Sequence, residues 1–245
     1  GDRLHRSYEE SVKEFKEAVI ETLRNGGNVL IPSFAIERTQ QLLCILKEMS
    51  ESKELPRHAN VYLDSPMAIK ATRVYNKYKH LLSNECKKKP SPFEFPNLRF
   101  AASQSASKKI NDKKSGNIII AGSGMCNGGR ILHHFKHRIW DPKNAVIFVG
   151  YQAEGTLGRQ IVDGAKFIEI YGERIAVRAK IYTINGFSAH ADQRELIEWA
   201  AKTEGLKTIF IIHGEEDKQR VFKKAIAKEL HTKAHIVKEG EIIHL

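Results

Sequence analysis

NIIIAGSGMCNGGR, the sequence of residues 117–130, joins a strongly β-prone run to a glycine-rich turn. Asn117–Ala121 has the length and the β-branched content of a buried strand, and the pattern after the turn predicts a helix over Ile131–Trp140. Glycines allow close approach of a backbone to a ligand, and free N–H groups at a helix N-terminus favour an anion. The turn is therefore a candidate phosphate cradle, although its glycines lack the Walker and dinucleotide spacings and many such turns are glycine-rich for geometry alone.

Strands and helices alternate on the N-terminal side of this unit. A capping box at Ser7 and Glu10 begins a predicted helix that ends at Gly26-Gly27, and strands are predicted over residues 28–32 and 61–63, each followed by a helix. Such alternation is typical of βαβ units, so we predict an α/β fold with a mostly parallel sheet flanked by helices. The basic residues 83–116 look irregular and predict a solvated surface loop.

The C-terminal half adds more strands. Residues 167–177 alternate in polarity like a hairpin with Gly172 near its turn, and a further strand is predicted over Lys180–Ile184. The tail predicts one helix over about Lys218–Leu230. A closing pair of strands is expected around His235–Val237 and Glu241–His244.

The composition indicates a soluble globular protein with a basic surface. Hydrophobic residues make up 41% and charged residues 28% of the 245 residues, and Lys and Arg outnumber Asp and Glu by 40 to 29. The resulting charge of +11 favours a polyanionic partner, first of all nucleic acid, although a lysine-rich, thermophile-like surface would give the same excess. Scattered cysteines and the lack of a long apolar run predict a cytoplasmic protein without a membrane segment.

Two histidines occupy strand ends in the C-terminal part. His190 lies in GFSAHAD, residues 186–192, and His213 follows an apolar run in FIIHGE, residues 210–215. Histidine is the commonest metal ligand and general acid or base, but polar strand-end residues of no special role fit the pattern equally well. Asp192 either orients a histidine or caps the helix that begins at Gln193, and we favour the cap.

A third group of histidines lies on the helix that follows the glycine-rich turn. His133, His134 and His137 include an i, i+4 pair that resembles a metal-ligand set. The glutamate of an HExxH zinc site is missing, so exposed helix histidines are the favoured interpretation.

Several motifs together resemble the β-CASP metallo-β-lactamase nucleases, in the order found in that family. They are LIPSFA at 30–35, RTQ at 38–40, LDSPMA at 63–68, AGSGM at 121–125, VGYQ at 149–152, EGTLG at 154–158, GFSAHAD at 186–192 and HGE at 213–215. The group includes the nuclease subunit of the cleavage and polyadenylation factor, ribonuclease J, and bacterial and archaeal RNA endonucleases. The bacterial endonucleases are the most similar type.

The resemblance implies a zinc-dependent nuclease that hydrolyses RNA phosphodiesters with a two-metal centre. It implies that His213 is a zinc ligand and that His190 is the catalytic general acid that protonates the leaving oxygen. It also implies that four residues line the RNA channel: Ser123, Gly124, Arg130 and Ser188.

One part of the family pattern does not occur in these 245 residues, namely the His-x-His-x-Asp-His metal-binding cluster. The further ligands of the family belong upstream, and Gly1 resembles the glycine that closes a family segment Glu-Ser-Thr-Tyr-Gly. We therefore expect a β-CASP domain over residues 1–181 and the C-terminal part of a metallo-β-lactamase αββα domain over residues 182–245. We expect this chain alone to bind no zinc tightly and to cleave nothing, whereas the full-length protein binds two zinc ions and is active.

Two other functions remain open. A catalytically inert RNA-binding module would fit the missing ligands, although the presence of both His190 and His213 favours an enzyme. A DNA-processing relative would use the same motifs on another substrate. Because the strand Thr208–Ile212 would lack its neighbours, homodimer formation or another self-association of the chain is also expected.

Overall fold

The computed structural model describes residues 1–83 and 91–243, which separate into two units. The larger unit is Ser7–Phe187. The smaller unit combines Gly1–Arg6 with the chain from Ser188 onward. The domain boundary expected after residue 181 stays a prediction, and the units divide after Phe187.

The helices and strands of the two units follow one another in a regular order. In the larger unit they are α1 (Tyr8–Arg24), β1 (Val29–Pro32), α2 (Arg38–Glu51), β2 (Asn60–Asp64), α3 (Pro66–Lys77), a 3-10 turn (Lys79–Leu81), β3 (Leu98–Phe100), α4 (Gln104–Asn111), β4 (Asn117–Ala121), α5 (Arg130–Arg138), β5 (Ala145–Phe148), α6 (Leu157–Val162), β6 (Phe167–Ile170), β7 (Glu173–Ala176) and β8 (Lys180–Thr183). In the smaller unit they are α7 (Gln193–Ala200), β9 (Thr208–Ile211), α8 (Glu216–Leu230) and β10 (Lys233–Ile236).

A parallel sheet forms the centre of the larger unit. Six strands of the described chain pair in the order β3-β2-β4-β1-β5-β8, and every neighbouring pair is parallel. Strands such as β1 and β4 consist almost entirely of buried residues, as expected when both faces of a parallel sheet are covered. The predicted α/β fold with a mostly parallel sheet is confirmed.

Each face of this sheet is covered by its own set of helices. Val29 and Ile31 pack with the apolar residues of α1, α2 and α3, whereas Leu30 packs with those of α4, α5 and α6 and with the β6–β7 hairpin. Successive strand residues therefore point to opposite cores, as the two-residue period of a strand requires. Burial on both faces, rather than an alternation of polar and apolar residues, holds the sheet.

Two local predictions in the larger unit have different outcomes. The hairpin is confirmed, because β6 and β7 pair antiparallel across Tyr171 and Gly172, whose φ angles are 54° and 76° as a type I′ turn needs. The prediction of an irregular loop over residues 83–116 is wrong for β3 and α4, which lie in it. Its basic run Lys87–Pro90 lies outside the described residues.

In the smaller unit, β9 and β10 form a two-stranded parallel sheet. The prediction that His235–Val237 pairs with Glu241–His244 is wrong over the described residues, because residues 241–243 form no strand and His244 lies outside the described range. The helix predicted to begin near Lys218 begins two residues earlier, at Glu216. No helix within the described residues is long and apolar enough to cross a membrane.

Candidate nucleic-acid interface

The carboxyl edge of the parallel sheet collects the turns that follow its strands. The chain leaves β1 and β2 toward α2 and α3 on one face, and it leaves β4 toward α5 on the other. A crevice at such a divergence of neighbouring strands is the usual ligand site of open α/β sheets. Gly122 lies in this crevice, since a Cβ built on it would be 3.8 Å from Ser33 O and 3.9 Å from Ser65 Oγ.

The glycine-rich turn after β4 is closed by its own hydrogen bonds. The backbone N–H and the Oγ of Ser123 both donate to Gly128 O, at 3.1 and 3.2 Å. Cys126 N donates to Ser123 O, and the buried Gly124 accepts from Gln152 Nε2 through its carbonyl, at 3.0 Å. The N–H groups of Ser123 and Cys126 are thus used within the turn. The phosphate-cradle interpretation and RNA contacts by Ser123 and Gly124 stay predictions.

Four helices that begin at the carboxyl edge have no acidic residue in the first turn, although Glu37 is the N-cap residue of α2. The first turns of α2, α3, α4 and α5 contain no Asp or Glu, whereas those of α1, α7 and α8 each contain at least one. Acidic residues commonly occupy first turns because they neutralise the positive end of the helix dipole. Their omission leaves the positive ends of α3, α4 and α5 without a first-turn acid, in keeping with a polyanionic ligand.

A buried carboxylate, that of Asp64 at the end of β2, organises the edge. Its Oδ2 accepts from Ser107 Oγ at 2.6 Å and from His134 Nε2 at 2.7 Å, and its Oδ1 accepts from Arg130 Nη1 at 2.7 Å. Although burial opposes ionisation, the hydrogen bonds from His134, Ser107 and Arg130 outweigh it and lower the pKa of Asp64. The network ties β2, α4 and α5 together beneath the glycine-rich turn.

Arg130, predicted to line the RNA channel, has a structural role in this network. Besides its bond to Asp64, Nη1 donates to Ala101 O at 2.7 Å, and Nη2 donates to Ala102 O at 3.3 Å. The side chain keeps 22% of its surface exposed. Contact of Arg130 with RNA stays a prediction, and the structure shows the side chain holding the start of α5 against β2.

The interpretation of the α5 histidines as exposed is wrong for His134, which is fully buried. Burial lowers the pKa of His134 more than the neighbouring Asp64 carboxylate raises it, so the ring is neutral at pH 7 and donates through Nε2. Its Nδ1 has no hydrogen-bond partner among the described residues. His133 instead stacks on Tyr171 at the surface, with ring centroids 5.0 Å apart. Neither residue belongs to a metal-ligand group of the described chain.

The two motif histidines lie exposed in the smaller unit. His190 N donates to Ser188 Oγ at 3.2 Å, which fixes the turn that carries the imidazole. His213 follows β9 with φ +62°, an uncommon conformation for a residue with a side chain, and its carbonyl accepts from Gln219 Nε2 at 3.0 Å. Both imidazoles are accessible to solvent, and their roles as general acid and metal ligand stay predictions.

Asp192 caps α7, as predicted. Its Oδ1 accepts from Glu195 N at 2.9 Å, and Glu195 Oε2 accepts from Asp192 N at 2.8 Å. His5 N donates to the other carboxylate oxygen of Asp192 at 3.0 Å. These backbone bonds lower the pKa of Asp192.

The described residues of this chain do not include a complete zinc site. His5, Asp192 and Glu195 are the only described residues grouped closely enough to hold a metal ion, and their carboxylates are already used in the cap. Neither His190 nor His213 belongs to that group. A zinc ion needs three or four protein ligands, so within the described chain His213 lacks the partners it would need.

Comparison with known proteins identifies the family. Residues 39–161, half of the chain, match the family model described as the Beta-Casp domain. The chain belongs to the β-CASP family of metallo-β-lactamase-fold nucleases. Residues 174–237 of this β-CASP chain match a second model, described as the Zn-dependent metallo-hydrolase RNA specificity domain.

Relatives of the β-CASP chain are named as ribonucleases or as transcription termination factors. Ribonuclease TTHA0252 of Thermus thermophilus is 42% identical over 231 residues, which cover 93% of this chain and 52% of the relative. Transcription termination factor FttA of Thermococcus kodakarensis is 39% identical over 223 residues, covering 86% and 34%. An RNase J-like protein of Methanocaldococcus jannaschii is 35% identical over 231 residues, covering 94% and 53%. The chain thus spans about a third to a half of the length of these curated relatives.

Sequence reasoning missed the centre of the β-CASP edge. Asp64 was recognised only as part of the LDSPMA motif at 63–68, although a carboxylate directly after a buried strand is a signal for the carboxyl-edge crevice. Arg130 and His134 have the i, i+4 spacing that puts both on one side of a helix, and this spacing indicates a shared partner. The partner itself lies 66 residues before Arg130 and is not evident from local pattern.

Proposed function

We propose that this chain is the RNA-binding β-CASP part of a zinc-dependent nuclease that hydrolyses RNA phosphodiesters. The observation that carries the proposal is the carboxyl edge of the sheet, where four helices begin without an acidic residue in the first turn. The charge of +11 and the names of the relatives support a polyanionic RNA ligand. Ser123, Gly124 and Arg130 in the larger unit and Ser188 in the smaller unit are the proposed RNA-lining residues.

Zinc, when bound by a protein that contains the remaining ligands, supplies charge neutralisation and an activated water for hydrolysis. We propose His213 as the ligand that this chain contributes and two zinc ions as the complement of the full-length protein. The exposed His190 is the proposed general acid, which donates a proton to the leaving oxygen. On this basis the chain alone holds no zinc tightly and is inactive.

An inert RNA-binding module is the second candidate function. The specific observation in its favour is the incomplete ligand set around His213 within the described residues. The two candidates differ in the longer protein, where only the nuclease would carry stoichiometric zinc and cleave. A DNA-processing protein differs from both because it would prefer DNA to RNA. Binding and cleavage of RNA and DNA oligonucleotides of matched sequence measure this preference.

The first prediction is that the chain alone binds single-stranded RNA without cutting it. Raising the salt concentration from 50 to 200 mM should weaken binding about 10-fold or more, because phosphate contacts release counterions. Fluorescence anisotropy with a labelled RNA measures binding, denaturing gels measure cleavage with added zinc, and elemental analysis measures bound metal. A matched DNA strand is the control. Two zinc ions per chain or zinc-dependent cutting would contradict the proposed inactivity, and absence of RNA binding would contradict the proposed partner.

We also propose that the chain self-associates through the apolar face of its smaller unit. Within the described residues β9 pairs only with β10, so its other edge is unpaired. Trp199 is 76% exposed and lines, with Ile209 and Phe222, a groove of about 340 Å³ beside this strand. An unpaired edge next to exposed apolar side chains favours pairing with a second copy.

The second prediction is that Trp199→Ser weakens this self-association, because the indole is the largest exposed apolar group of the face. Sedimentation velocity over a concentration series should show oligomers for the native chain and a shift toward monomer for the variant. Trp140→Ser, which changes an exposed tryptophan of the larger unit, is the matched control. A native chain that stays monomeric throughout the series would show the proposal to be wrong.

A further inference from the structure

Four large apolar side chains are exposed at the carboxyl edge of the larger unit, and none of them has a role so far. Phe34 and Tyr151 are each 50% exposed, and Ile36 and Met67 are exposed over more than half of their surface. They follow β1, β5, β1 and β2, so the parallel sheet brings the segments that carry them to one edge. Large apolar groups exposed at a ligand crevice indicate a binding surface.

Phe34 is held in place on one side and open on the other. A Cβ built on Gly124 would lie 2.8 Å from two carbons of the Phe34 ring, so the ring rests directly against the glycine backbone. The Phe34 carbonyl accepts from Thr39 Oγ1 at 2.6 Å and from Ser33 Oγ at 3.2 Å, which fixes the turn. A ring that is already fixed loses little conformational entropy when a second ring stacks on it.

The segment of Tyr151 is attached to the same glycine. Gln152, which follows it, is buried and donates through Nε2 to Gly124 O at 3.0 Å and to Gly150 O at 3.1 Å. The turns that carry Phe34 and Tyr151 are thus both anchored on Gly124. One backbone position therefore supports the segments of both exposed aromatic residues, and this pair is called the stacking platform below.

The charge around this platform selects its ligand. α3 and α5 begin at the same edge and have no acid in the first turn to neutralise their positive dipole ends, whereas Glu37 is the N-cap residue of α2 and Glu154 lies in the turn before α6. An apolar protein segment would satisfy the aromatic side chains but not the positive edge. Single-stranded nucleic acid satisfies both, since its bases stack on aromatic rings and its phosphates carry the opposite charge.

We propose that Phe34 and Tyr151 are base-stacking residues for single-stranded RNA at the carboxyl edge of the β-CASP sheet. The bases stack on the exposed parts of the two rings, and the phosphates face the starts of α3 and α5. This inference rests on the proposed function insofar as the chain binds RNA. It adds the residues that read the base rather than the backbone.

The test compares two ligands on the intact chain, an oligoadenylate of 12 nucleotides and a chain of equal length without bases. Phe34→Ala and Phe34→Leu should each weaken oligoadenylate binding about 5- to 150-fold, the effect of losing one stacked base, and leave binding of the baseless chain unchanged. Phe34→Leu keeps the apolar contact with Gly124, so its loss of affinity reports the aromatic face rather than folding. Phe34→Trp should retain affinity, with a tryptophan emission that oligoadenylate quenches and the baseless chain does not.

Phe167→Ala is the matched control, because Phe167 is 51% exposed on β6 of the same unit and lies under Arg174 rather than at the carboxyl edge. It should bind both ligands like the native chain. Native RNA binding that Phe34→Ala and Phe34→Leu leave intact would overturn the stacking platform while the proposed function stands. If the native chain binds neither ligand, both the platform and the RNA partner are wrong. Equal weakening for the two ligands would assign Phe34 to the backbone path and overturn its base-stacking role.

Discussion

Asp64→Ala is expected to lower the free energy of unfolding of the larger unit by about 3–5 kcal/mol, the cost of removing one partner from a buried charge pair. The carboxylate is fully buried and accepts from three side chains, those of Ser107, Arg130 and His134. Its removal leaves the Arg130 guanidinium without its counter-charge and two further donors without an acceptor. Denaturation in urea, followed by circular dichroism, measures the change.

Glu173→Ala is the control for this substitution. Glu173 pairs with Lys136 in the same unit, but its side chain is 59% exposed, and an exposed pair contributes only about 0.2–1 kcal/mol. Asp64→Asn should fall between the two, since it keeps one acceptor oxygen and removes the charge. If Asp64→Ala and Glu173→Ala destabilise equally, the network does not organise the edge.

The same network predicts that acid destabilises the fold in two steps. The folded pKa of His134 is lowered by burial, with Arg138 and His133 adding to the effect and Asp64 opposing it. Below about pH 6.5, His134 of the unfolded chain therefore takes up a proton that His134 of the folded chain does not yet bind. The free energy of unfolding falls as the pH drops. Asp64 has a lowered folded pKa, so its contribution is present above its unfolded pKa and is lost below about pH 4.

The first of these steps should be smaller in His134→Gln, because the glutamine cannot gain the proton. His137, whose pKa burial also lowers, contributes to the same step and is replaced in a parallel variant. Urea midpoints at pH 7.5, 6, 5 and 4 measure both steps. A His134→Gln chain that keeps the full native dependence between pH 7.5 and 5 would assign the first step to other groups.

His190→Ala, placed in a longer protein that also contains the proposed metal-binding half, is expected to slow RNA cleavage by about 10²–10⁴-fold. The exposed imidazole would otherwise protonate the leaving oxygen, so the variant should be slowed most where the leaving group needs a proton. A nucleotide p-nitrophenyl ester needs no protonation of its leaving group. The defect should therefore shrink on this substrate.

Metal content separates this role from that of His213. His190→Ala should keep its zinc, whereas His213→Ala should lose zinc and activity together, because a removed ligand leaves the site incomplete. His137→Ala, which changes an exposed histidine on α5, is the control and should cut RNA at the native rate. Equal slowing of His190→Ala on RNA and on the p-nitrophenyl ester would exclude the general-acid role.

Local signals were sufficient for most elements of the larger unit. The capping box of Ser7 and Glu10 begins α1, and the Tyr171-Gly172 turn forms the hairpin, because each depends on residues within one turn of the chain. The Asp192 cap of α7 was predictable for the same reason. Where the signal was weak the prediction failed, as over residues 98–111, whose polar and basic composition hides β3 and α4.

The local sequence pattern did not predict which distant segments pair or pack together. His235 was expected to join a strand that follows it directly, but β10 pairs in parallel with β9 across α8. Nothing between residues 233 and 243 specifies that choice, since it depends on where α8 packs. The burial of His134 was not predicted for the same reason. The side chain can be buried because Asp64, from a distant strand, lies beside α5 and accepts its hydrogen bond.

By itself, the sequence determined the β-CASP family, the α/β class and the two exposed motif histidines, since ordered motifs and apolar periodicity are properties of the chain alone. Only the tertiary structure decided which side chains meet at the carboxyl edge. Asp64, Arg130 and His134 come together, and Phe34 lies on Gly124, because β2, β4 and β1 pair in parallel register. The residues in these contacts are separated by up to about 90 positions in the sequence. Their contacts therefore depend on how the whole sheet packs and not on local conformational preference.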